Sequence, residues 1–278
     1  MKISALSAFA TCMLAVLLIS PPAKAQVNRE KPDALQDLGI TEKLGDHIPQ
    51  DAKFVTSTGD TVMLGDLYEE GKPILLNPLY YECPMLCGLV LDGVFNVLEE
   101  VNWKPGKDFI VISFSIDPEE DAAVAAKAKE NYLGDKDSTI NTGWHFLTGS
   151  KKEINKVTEA TGFRYKEVEE TGEYAHSAAI MLLSPDGKIT RYLYGISYDE
   201  FNVRNALYEA ADGKIGSTVD KIVMYCYQYD PDSGSYVPVA INIMKLGGLA
   251  TLIILGIFLA VLWLREKRNK PTSKTDIN

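Results

Sequence analysis

The sequence is poor in cysteine and histidine, with four cysteines and three histidines among 278 residues. A closed structural zinc site is excluded, because these residues lack the spacing of a four-Cys or Cys/His site. Clustered basic residues are also missing between the two ends of the chain, and the net charge is -10. A phosphate-binding surface requires such clusters. The sequence therefore predicts no nucleic-acid partner and leaves open a protein partner with a basic surface.

An apolar run near the N-terminus predicts a signal peptide over residues 1–25. Lys2 precedes an uncharged stretch from Ala5 to Ile19. Ala23-Lys24-Ala25 follows with the small-x-small pattern that suits signal peptidase. We expect an exported chain that begins near Gln26. An uncleaved anchor is the alternative, and it is disfavoured because the apolar stretch is short for a membrane span.

A second apolar run predicts a transmembrane helix over residues 246–264. From Gly247 to Leu264 the chain carries no charge, which is about the minimum length for crossing the hydrocarbon core. A basic cluster follows directly: Arg265, Lys267, Arg268 and Lys270. The positive-inside rule places the tail of residues 265–278 in the cytoplasm and the rest on the periplasmic side of the cytoplasmic membrane. A buried core helix is the alternative, but such helices are seldom apolar on every face.

Between these ends, apolar runs alternate with helical patterns. Buried strands are predicted over Pro73–Leu79 and Phe109–Ile116, with a helical pattern from Leu86 to Leu98 between them, so this segment is a βαβ unit. The other predicted elements are a hairpin at Phe54–Leu67, helices at Glu119–Tyr132, Lys151–Thr161 and Tyr198–Ala211, a strand at Trp144–Leu147, and a hairpin of Ala178–Ser184 with Ile189–Tyr194. Together they predict one α/β domain over residues 51–213, a mixed sheet flanked by helices.

Two further segments flank this domain. Residues 26–50 are polar and show no sustained periodicity, which predicts an arm loosely attached to the domain. Residues 214–245 are predicted to form a hairpin and a linker to the membrane helix. Alternation within Lys221–Tyr229 puts Cys226 on one strand face and three tyrosines on the other. A buried free thiol is the preferred interpretation of Cys226, with an additional sulfur ligand or an intermolecular disulfide as alternatives.

Two cysteines lie where a helix is predicted to begin. The segment Cys83-Pro84-Met85-Leu86-Cys87 follows the first buried strand, and backbone donors at a helix N-terminus favour thiolates. Residues four apart share one helix face, so the two sulfurs can bind one metal or form a disulfide. Thiolates select Cu(I) and compete for zinc. A purely structural disulfide is disfavoured, because so small a loop stabilises little and removal of Cys12 leaves an odd number of cysteines.

A third metal ligand must come from elsewhere in the chain. His176 is the best placed histidine, since it lies in a predicted loop just before one strand while the cysteines follow another. We interpret His145, inside a predicted strand, and His47, in the entry segment, as packed or surface residues. Met85 is a possible soft ligand, but a packing role is favoured. Asp117 follows the second strand and could orient the site, although a helix start is the simpler explanation.

The order of the motifs resembles the Sco (SenC) copper chaperones over about residues 40–212. The motifs that carry the resemblance are Cys83-Pro84-Met85-Leu86-Cys87, Ser115-Ile116-Asp117-Pro118, Trp144-His145-Phe146-Leu147-Thr148-Gly149 and His176-Ser177. The resemblance implies a thioredoxin-like fold and copper held by Cys83, Cys87 and His176. It also implies delivery of copper to, or thiol reduction of, the binuclear copper site in cytochrome c oxidase subunit II. The chain departs from the usual plan of this family, whose membrane anchor is N-terminal.

Two activities remain open for these residues. In the first, Cys83, Cys87 and His176 carry copper from an upstream donor to an acceptor. In the second, the two cysteines act alone as a redox-active pair, a thiol:disulfide reductase in which one thiolate attacks a disulfide and the other resolves the intermediate. A thioredoxin-fold peroxidase is weaker, because no peroxidatic motif surrounds a single thiolate. The discriminating residue is His176, since thiol exchange needs only the cysteines.

Overall fold

A computed structural model describes the chain over residues 38–82, 87–134, 138–168, 172–212, 218–230 and 235–269. The side chain of Cys87 is not included, although its backbone is. Several predicted features lie wholly or partly outside these ranges: the signal peptide of residues 1–25, the first part of the arm, most of the cysteine segment, the turn at residues 231–234, and the tail from Lys270.

A seven-stranded mixed sheet forms the centre of the domain, in the order β2-β1-β5-β4-β3-β8-β9. Its strands are β1 (Lys53–Thr56), β2 (Thr61–Met63), β3 (Ile74–Leu79), β4 (Ile110–Ser115), β5 (Trp144–Thr148), β8 (Ala179–Leu183) and β9 (Ile189–Tyr194). A separate hairpin consists of β6 (Tyr165–Val168) and β7 (Glu173–His176). Strands β3, β4 and β5 run parallel and the other pairs are antiparallel. The predicted α/β mixed sheet is confirmed.

Helices connect the strands and complete the core. They are α1 (Cys87–Glu100), α2 (Ala122–Leu133), α3 (Ser138–Gly143), α4 (Lys151–Thr161) and α5 (Glu200–Ala210). Every residue of β3 and β4 is buried, as expected for parallel strands covered on both faces. Val94 of α1 and Leu207 of α5 belong to the same apolar core. The chain segments that follow β3 and β4 therefore project from a rigid support.

The helix predicted from Glu119 begins later, at Ala122. The carboxylate of Asp121 accepts the backbone N–H groups of Ala123 at 2.9 Å and Val124 at 3.1 Å, which is the geometry of an N-cap. Pro118 and Glu120 consequently precede α2 instead of forming its first turn. This difference matters because Glu120 is buried.

The loop predicted at Gly172–Ser177 is in part a strand. His176 is the last residue of β7 and pairs with Tyr165 of β6. All four residues of β7 are half-buried, so neither an apolar run nor an alternation of buried and exposed positions marks the strand in the sequence. Strand pairing fixes the backbone of His176 more firmly than a loop would.

The described part of the predicted arm, residues 38–50, packs against the domain. Ile48 is buried. The N–H of Thr41 donates to the carbonyl of Gly162 at 3.0 Å, and the N–H of Lys43 donates to the hydroxyl of Tyr192 at 3.1 Å. The expectation of a loose arm does not hold for these residues. Irregular backbone that bonds to the loops of a domain has no periodic pattern by which a sequence could reveal it.

The segment after the domain begins with a helix, α6 (Thr218–Cys226), where a strand was predicted. A hairpin of β10 (Tyr227–Asp230) and β11 (Ser235–Pro238) follows, and its predicted turn at residues 231–234 lies outside the described ranges. The strand faces predicted over Lys221–Tyr229 are therefore wrong as far as Cys226, whereas Tyr227 and Tyr229 lie in a strand as predicted. Val, Ile and Tyr are typical of strands, but up to Cys226 the backbone is helical, so residues three or four apart share a face.

The chain continues into one long helix, α7 (Ala240–Asn269). Its stretch Ala240–Arg265 has 26 residues and a mean hydropathy of 2.5 in the most apolar part, none of which is buried in the protein. Within the described ranges it is the one helix long and apolar enough to cross a membrane. The mixed sheet thus leads to a candidate membrane helix at its C-terminal side, as predicted.

Candidate metal centre

The end of β3 and the beginning of β8 lie at the same end of the sheet. The two strands are antiparallel neighbours, with Ile74 opposite Leu183 and Leu76 opposite Met181. The residues that follow Leu79 therefore lie beside those that precede Ala179. We call this end, where β3 and β4 finish and β8 begins, the site end. It brings the segment leading to Cys83 next to the segment that contains His176.

His176 lies among aromatic rings at the site end. Its ring centroid is 6.1 Å from that of Tyr80, in an edge-to-face arrangement, and 5.6 Å from that of Phe163. Tyr80 is buried and is separated from Cys83 by only two residues. The two candidate ligand segments are therefore in direct contact through Tyr80 and His176.

The imidazole of His176 is held in a form that suits a metal. Burial lowers its pKa below the usual value, and a hydrogen bond with the carbonyl of Ser177 opposes this shift in part. The neutral ring therefore predominates at pH 7. Nδ1 lies 3.0 Å from that carbonyl oxygen, so the tautomer that donates there carries its proton on Nδ1 and its lone pair on Nε2. A backbone carbonyl is a common outer partner of a metal-binding histidine.

The cysteines themselves fall mostly outside the described part of the chain. Cys83, Met85 and their neighbours at 84 and 86 are not described, and of Cys87 only the backbone is, as the first residue of α1. Within the described ranges there is no group of three or more His, Cys, Asp or Glu that could hold a metal. The predicted ligand set of Cys83, Cys87 and His176 therefore stays a prediction, with only the histidine described in full.

Glu120 anchors the backbone that leads into the cysteine segment. Its Oε2 accepts the N–H of Tyr81 at 2.9 Å, and its Oε1 accepts the N–H of Glu82 at 2.7 Å. Burial raises the pKa of Glu120, while hydrogen bonds from Ser115, Tyr81 and Glu82 oppose the shift. The sequence did not reveal this role, because three consecutive acidic residues precede α2 and nothing in their order shows which of them turns inward.

Tyr81 fixes the same segment through its side chain. Its buried hydroxyl accepts the N–H of Leu147 at 2.9 Å and lies 2.9 Å from the carbonyl of Ser113, to which it can donate. Burial raises the pKa of Tyr81 well above its usual value, so the hydroxyl stays protonated. The chain before Cys83 is thus attached to the ends of β4 and β5.

The other candidates from the sequence lie apart from this arrangement or serve the backbone. The carboxylate of Asp117 accepts the N–H of Glu119 at 2.9 Å, which forms a turn before α2. His47 is exposed and pairs with Asp186 at 3.1 Å, beside the β8–β9 turn at the opposite end of the sheet. His145 is a half-buried residue of β5, as predicted. Cys226 is a half-buried free thiol at the last position of α6.

The fold and this site define a class of protein. A mixed sheet whose first parallel strand leads into a Cys-x-x-x-Cys segment and a helix is the arrangement of a thioredoxin-like thiol protein. Comparison with known families then gives the particular one. The model of the SCO1/SenC family matches residues 41–208, more than half of the chain. The chain belongs to the SCO1/SenC family.

The chain is also similar to individual proteins. The protein SCO2 homolog, mitochondrial, of Bos taurus is 32% identical over 127 residues, a match that covers 44% of this chain and 45% of the bovine protein. The match therefore spans less than half of that relative's length. A putative electron transfer protein from Aquifex aeolicus VF5 is 28% identical, with a TM-score of 0.56 over 62% of this chain and 96% of that one. ScoI of Arabidopsis thaliana, solved with copper bound, is 20% identical, with a TM-score of 0.47 over 62% and 98%.

Proposed function

We propose that this chain is a membrane-tethered copper chaperone that binds its cargo through Cys83, Cys87 and His176. Two thiolates and one neutral imidazole form a soft, three-coordinate donor set that suits Cu(I). Membership of the SCO1/SenC family supports the assignment. The observation that carries it is the environment of His176, which is neutral, oriented by Ser177 and in contact with Tyr80 just before the cysteine segment.

The acceptor in this proposal is the binuclear copper site of cytochrome c oxidase subunit II, the role that the family resemblance implies. Copper arrives from an upstream donor, and acceptor thiols replace the ligands of the chaperone one after another. A site with three protein ligands leaves room for such an incoming thiolate. Binding and transfer, without turnover, are then the function.

The membrane tether in this proposal is α7. The basic cluster that follows it supports a tail in the cytoplasm and a domain on the periplasmic side. The predicted signal peptide agrees with that orientation. The candidate span Ala240–Arg265 supports the tether by its length and composition.

Thiol:disulfide exchange is the second candidate function, because the same two cysteines provide it without copper. One thiolate attacks an acceptor disulfide and forms a mixed disulfide, and the other cysteine then displaces the acceptor thiol. The acceptor gains two electrons and becomes a dithiol, while Cys83 and Cys87 become a disulfide. An upstream thiol reductant must restore the pair. This activity would prepare the same copper site of the oxidase.

A Cu(I) competition titration of the reduced, detergent-solubilised full chain under anaerobic conditions tests the proposal. Wild type should bind about one Cu(I). Replacement Cys83→Ala should abolish tight binding. Replacement His176→Ala should weaken it by more than about tenfold, because loss of a ligand costs at least as much as loss of an outer partner.

The chain offers matched controls for both residue types. His47→Ala removes an exposed histidine at the far end of the sheet, and Cys226→Ala removes a thiol outside the family region. Both should bind Cu(I) as wild type does. Reduction of a model disulfide should survive in His176→Ala and fail in Cys83→Ala. Equal Cu(I) affinity of His176→Ala and wild type would overturn the copper site and leave thiol exchange as the function.

A further inference from the structure

The helix α6 exposes an apolar face. Val219, Ile222 and Tyr225 follow one another at intervals of three residues, and their exposed fractions are 65%, 51% and 45%. Residues at this spacing lie along one side of a helix. These three apolar side chains form an exposed apolar patch, a feature that often marks a site of contact with a protein or a membrane.

The opposite side of α6 is attached to the domain. Met224 packs against the apolar core, as do Tyr227 and Tyr229 of the strand that follows. The ring of Tyr227 makes an edge-to-face contact with Phe201 of α5, at 4.9 Å between centroids. One side of α6 thus packs against the protein, and its other side is exposed and apolar.

The uncovered side lies next to the start of the candidate membrane helix. The side-chain amide of Asn242, in the first turn of α7, donates to the carbonyl of Tyr225 at 2.8 Å. The N–H of Val239 donates to the carbonyl of Cys226 at 2.7 Å. These two bonds place the C-terminal end of α6 beside the first turn of α7.

The length of α7 indicates where the contact between α6 and α7 lies relative to the bilayer. The span Ala240–Arg265 has 26 residues, or about 39 Å at 1.5 Å per residue, whereas the hydrocarbon core is about 30 Å thick. The uncharged run begins only after Lys245, so the first turn of α7 lies at the level of the lipid headgroups. Tyr225, bonded to Asn242, lies at that level too, where tyrosine is enriched in membrane proteins.

We propose that Val219, Ile222 and Tyr225 of α6 insert into the headgroup region of the bilayer that α7 crosses, so that the domain rests on the membrane. This inference depends on the membrane tether of the proposed function. An amphipathic helix that lies in the interface with its apolar side down is a known way of binding a bilayer. The hydrogen bonds that join the end of α6 to the start of the membrane helix argue for lipid as the occupant of this surface.

The hairpin β10–β11, which leads from α6 to the membrane helix, is attached to the domain by side-chain contacts. The hydroxyl of the buried Tyr236 donates to Glu209 of α5 at 2.6 Å. The guanidinium of Arg191 lies 4.1 Å above the ring of Tyr229 and pairs with Glu209. These contacts attach the domain to the segment that enters the membrane. We therefore expect the proposed copper site to stay within a narrow range of distances from the bilayer.

Photocrosslinking of the full chain in membranes tests the inference. The photoreactive residue p-benzoylphenylalanine is introduced singly at Ile222, at Leu44 and at Leu259, and lipid adducts are detected by mass spectrometry after irradiation. Leu44 is the matched control, because it is exposed to 49% on the domain whereas Ile222 is exposed to 51%. Leu259 lies within the candidate span. We expect lipid adducts at positions 222 and 259 and none at position 44.

The outcomes separate the inference from the tether on which it depends. A lipid adduct at 259 with none at 222, or a crosslink from 222 to a second copy of the chain or to another protein, overturns the interfacial role of α6 and leaves the tether intact. Absence of lipid adducts at both positions overturns the tether as well. A second probe at Val219 should behave as the one at 222 does.

Discussion

The two ends of strand β8 have histidines in opposite environments. At the site end, His176 lies among aromatic rings, and burial lowers its pKa. At the other end, which we call the turn end after the β8–β9 turn, the side chain of His47 is 53% exposed and pairs with Asp186. A ligand histidine must be neutral and held in one orientation. Burial and a backbone partner provide both for His176, whereas His47 is exposed and contacts only an exposed carboxylate.

Carboxylates at the two ends show the same contrast. Burial raises the pKa of Glu120 at the site end, where the carboxylate holds two backbone N–H groups. At the turn end, hydrogen bonds from Ser184 and then from His47 lower the pKa of Asp186 to about 2. Buried hydrogen bonds cost much when one partner is removed, whereas exposed ion pairs contribute little. Mutations should therefore have large effects at the site end and small ones at the turn end.

The largest expected effect follows removal of the Glu120 carboxylate. Glu120→Ala leaves the N–H groups of Tyr81 and Glu82 without their acceptor, which should cost about 2 kcal/mol of unfolding free energy. Glu120→Gln should cost less, since one amide oxygen remains as an acceptor. Denaturant unfolding of the full chain in detergent measures the loss, and hydrogen exchange of the peptide that contains Tyr81 should accelerate locally.

Glu119→Gln is the matched control for Glu120, because Glu119 is the exposed neighbouring carboxylate. It should leave the unfolding free energy and the hydrogen exchange unchanged.

The raised pKa of Glu120 also predicts how the stability of the domain depends on pH. Since the folded-state pKa of Glu120 is raised, its contribution to stability is present at low pH and is lost as the pH rises through that pKa. If hydrogen exchange of the peptide that contains Tyr81 is the same in Glu120→Ala and wild type, the carboxylate of Glu120 does not stabilise the site end.

His145 shows the effect of burial apart from that of position, because it lies near the start of β5, towards the turn end, and is nevertheless half-buried. Burial and then the charge of Lys129 lower its pKa to about 4. A histidine with a lowered pKa contributes stability above its unfolded pKa of 6.5 that is lost as the pH falls towards 4. The full chain should lose roughly 1–2 kcal/mol between pH 7 and pH 5 from this residue.

Replacement His145→Gln should remove most of that acid sensitivity, measured as unfolding free energy at pH 7 and pH 5. The matched control is His47→Gln, which removes an exposed histidine. If His145→Gln and wild type lose the same unfolding free energy between pH 7 and pH 5, burial of His145 does not cause the acid sensitivity of the domain.

The sequence predicted the parts of the fold that have strong periodic patterns. The buried strands β3 and β4, the helix between them and the β8–β9 hairpin all appear where apolar runs and turn residues indicated them. Helix α4 ends at Gly162 as predicted, with a φ of 65° that glycine adopts without strain. These elements are determined by local signals and by burial of a face, both of which a single sequence contains.

Tertiary contacts decided the rest. Strand β7 is too short and too evenly half-buried to give a pattern, so His176 was expected in a loop. Helix α6 has the composition of a strand, and its attachment to α5 and α7 was not visible in the sequence. For the candidate site, the cysteines were predicted from a helix start after a strand and His176 from a loop before another strand, and the order of the motifs gave the family resemblance. Glu120 could not be found, because its role depends on how the chain turns between β4 and α2.

The smallest effect is expected from the ion pair at the turn end. His47→Gln removes the partner of Asp186, but both side chains are more than half exposed, and exposed pairs contribute at most about 1 kcal/mol. We expect the unfolding free energy of the full chain to change by less than about 1 kcal/mol. Raising the salt concentration should change wild type and variant alike. A loss above about 1.5 kcal/mol would show that the turn end depends on this pair, and burial would no longer explain why the two ends differ.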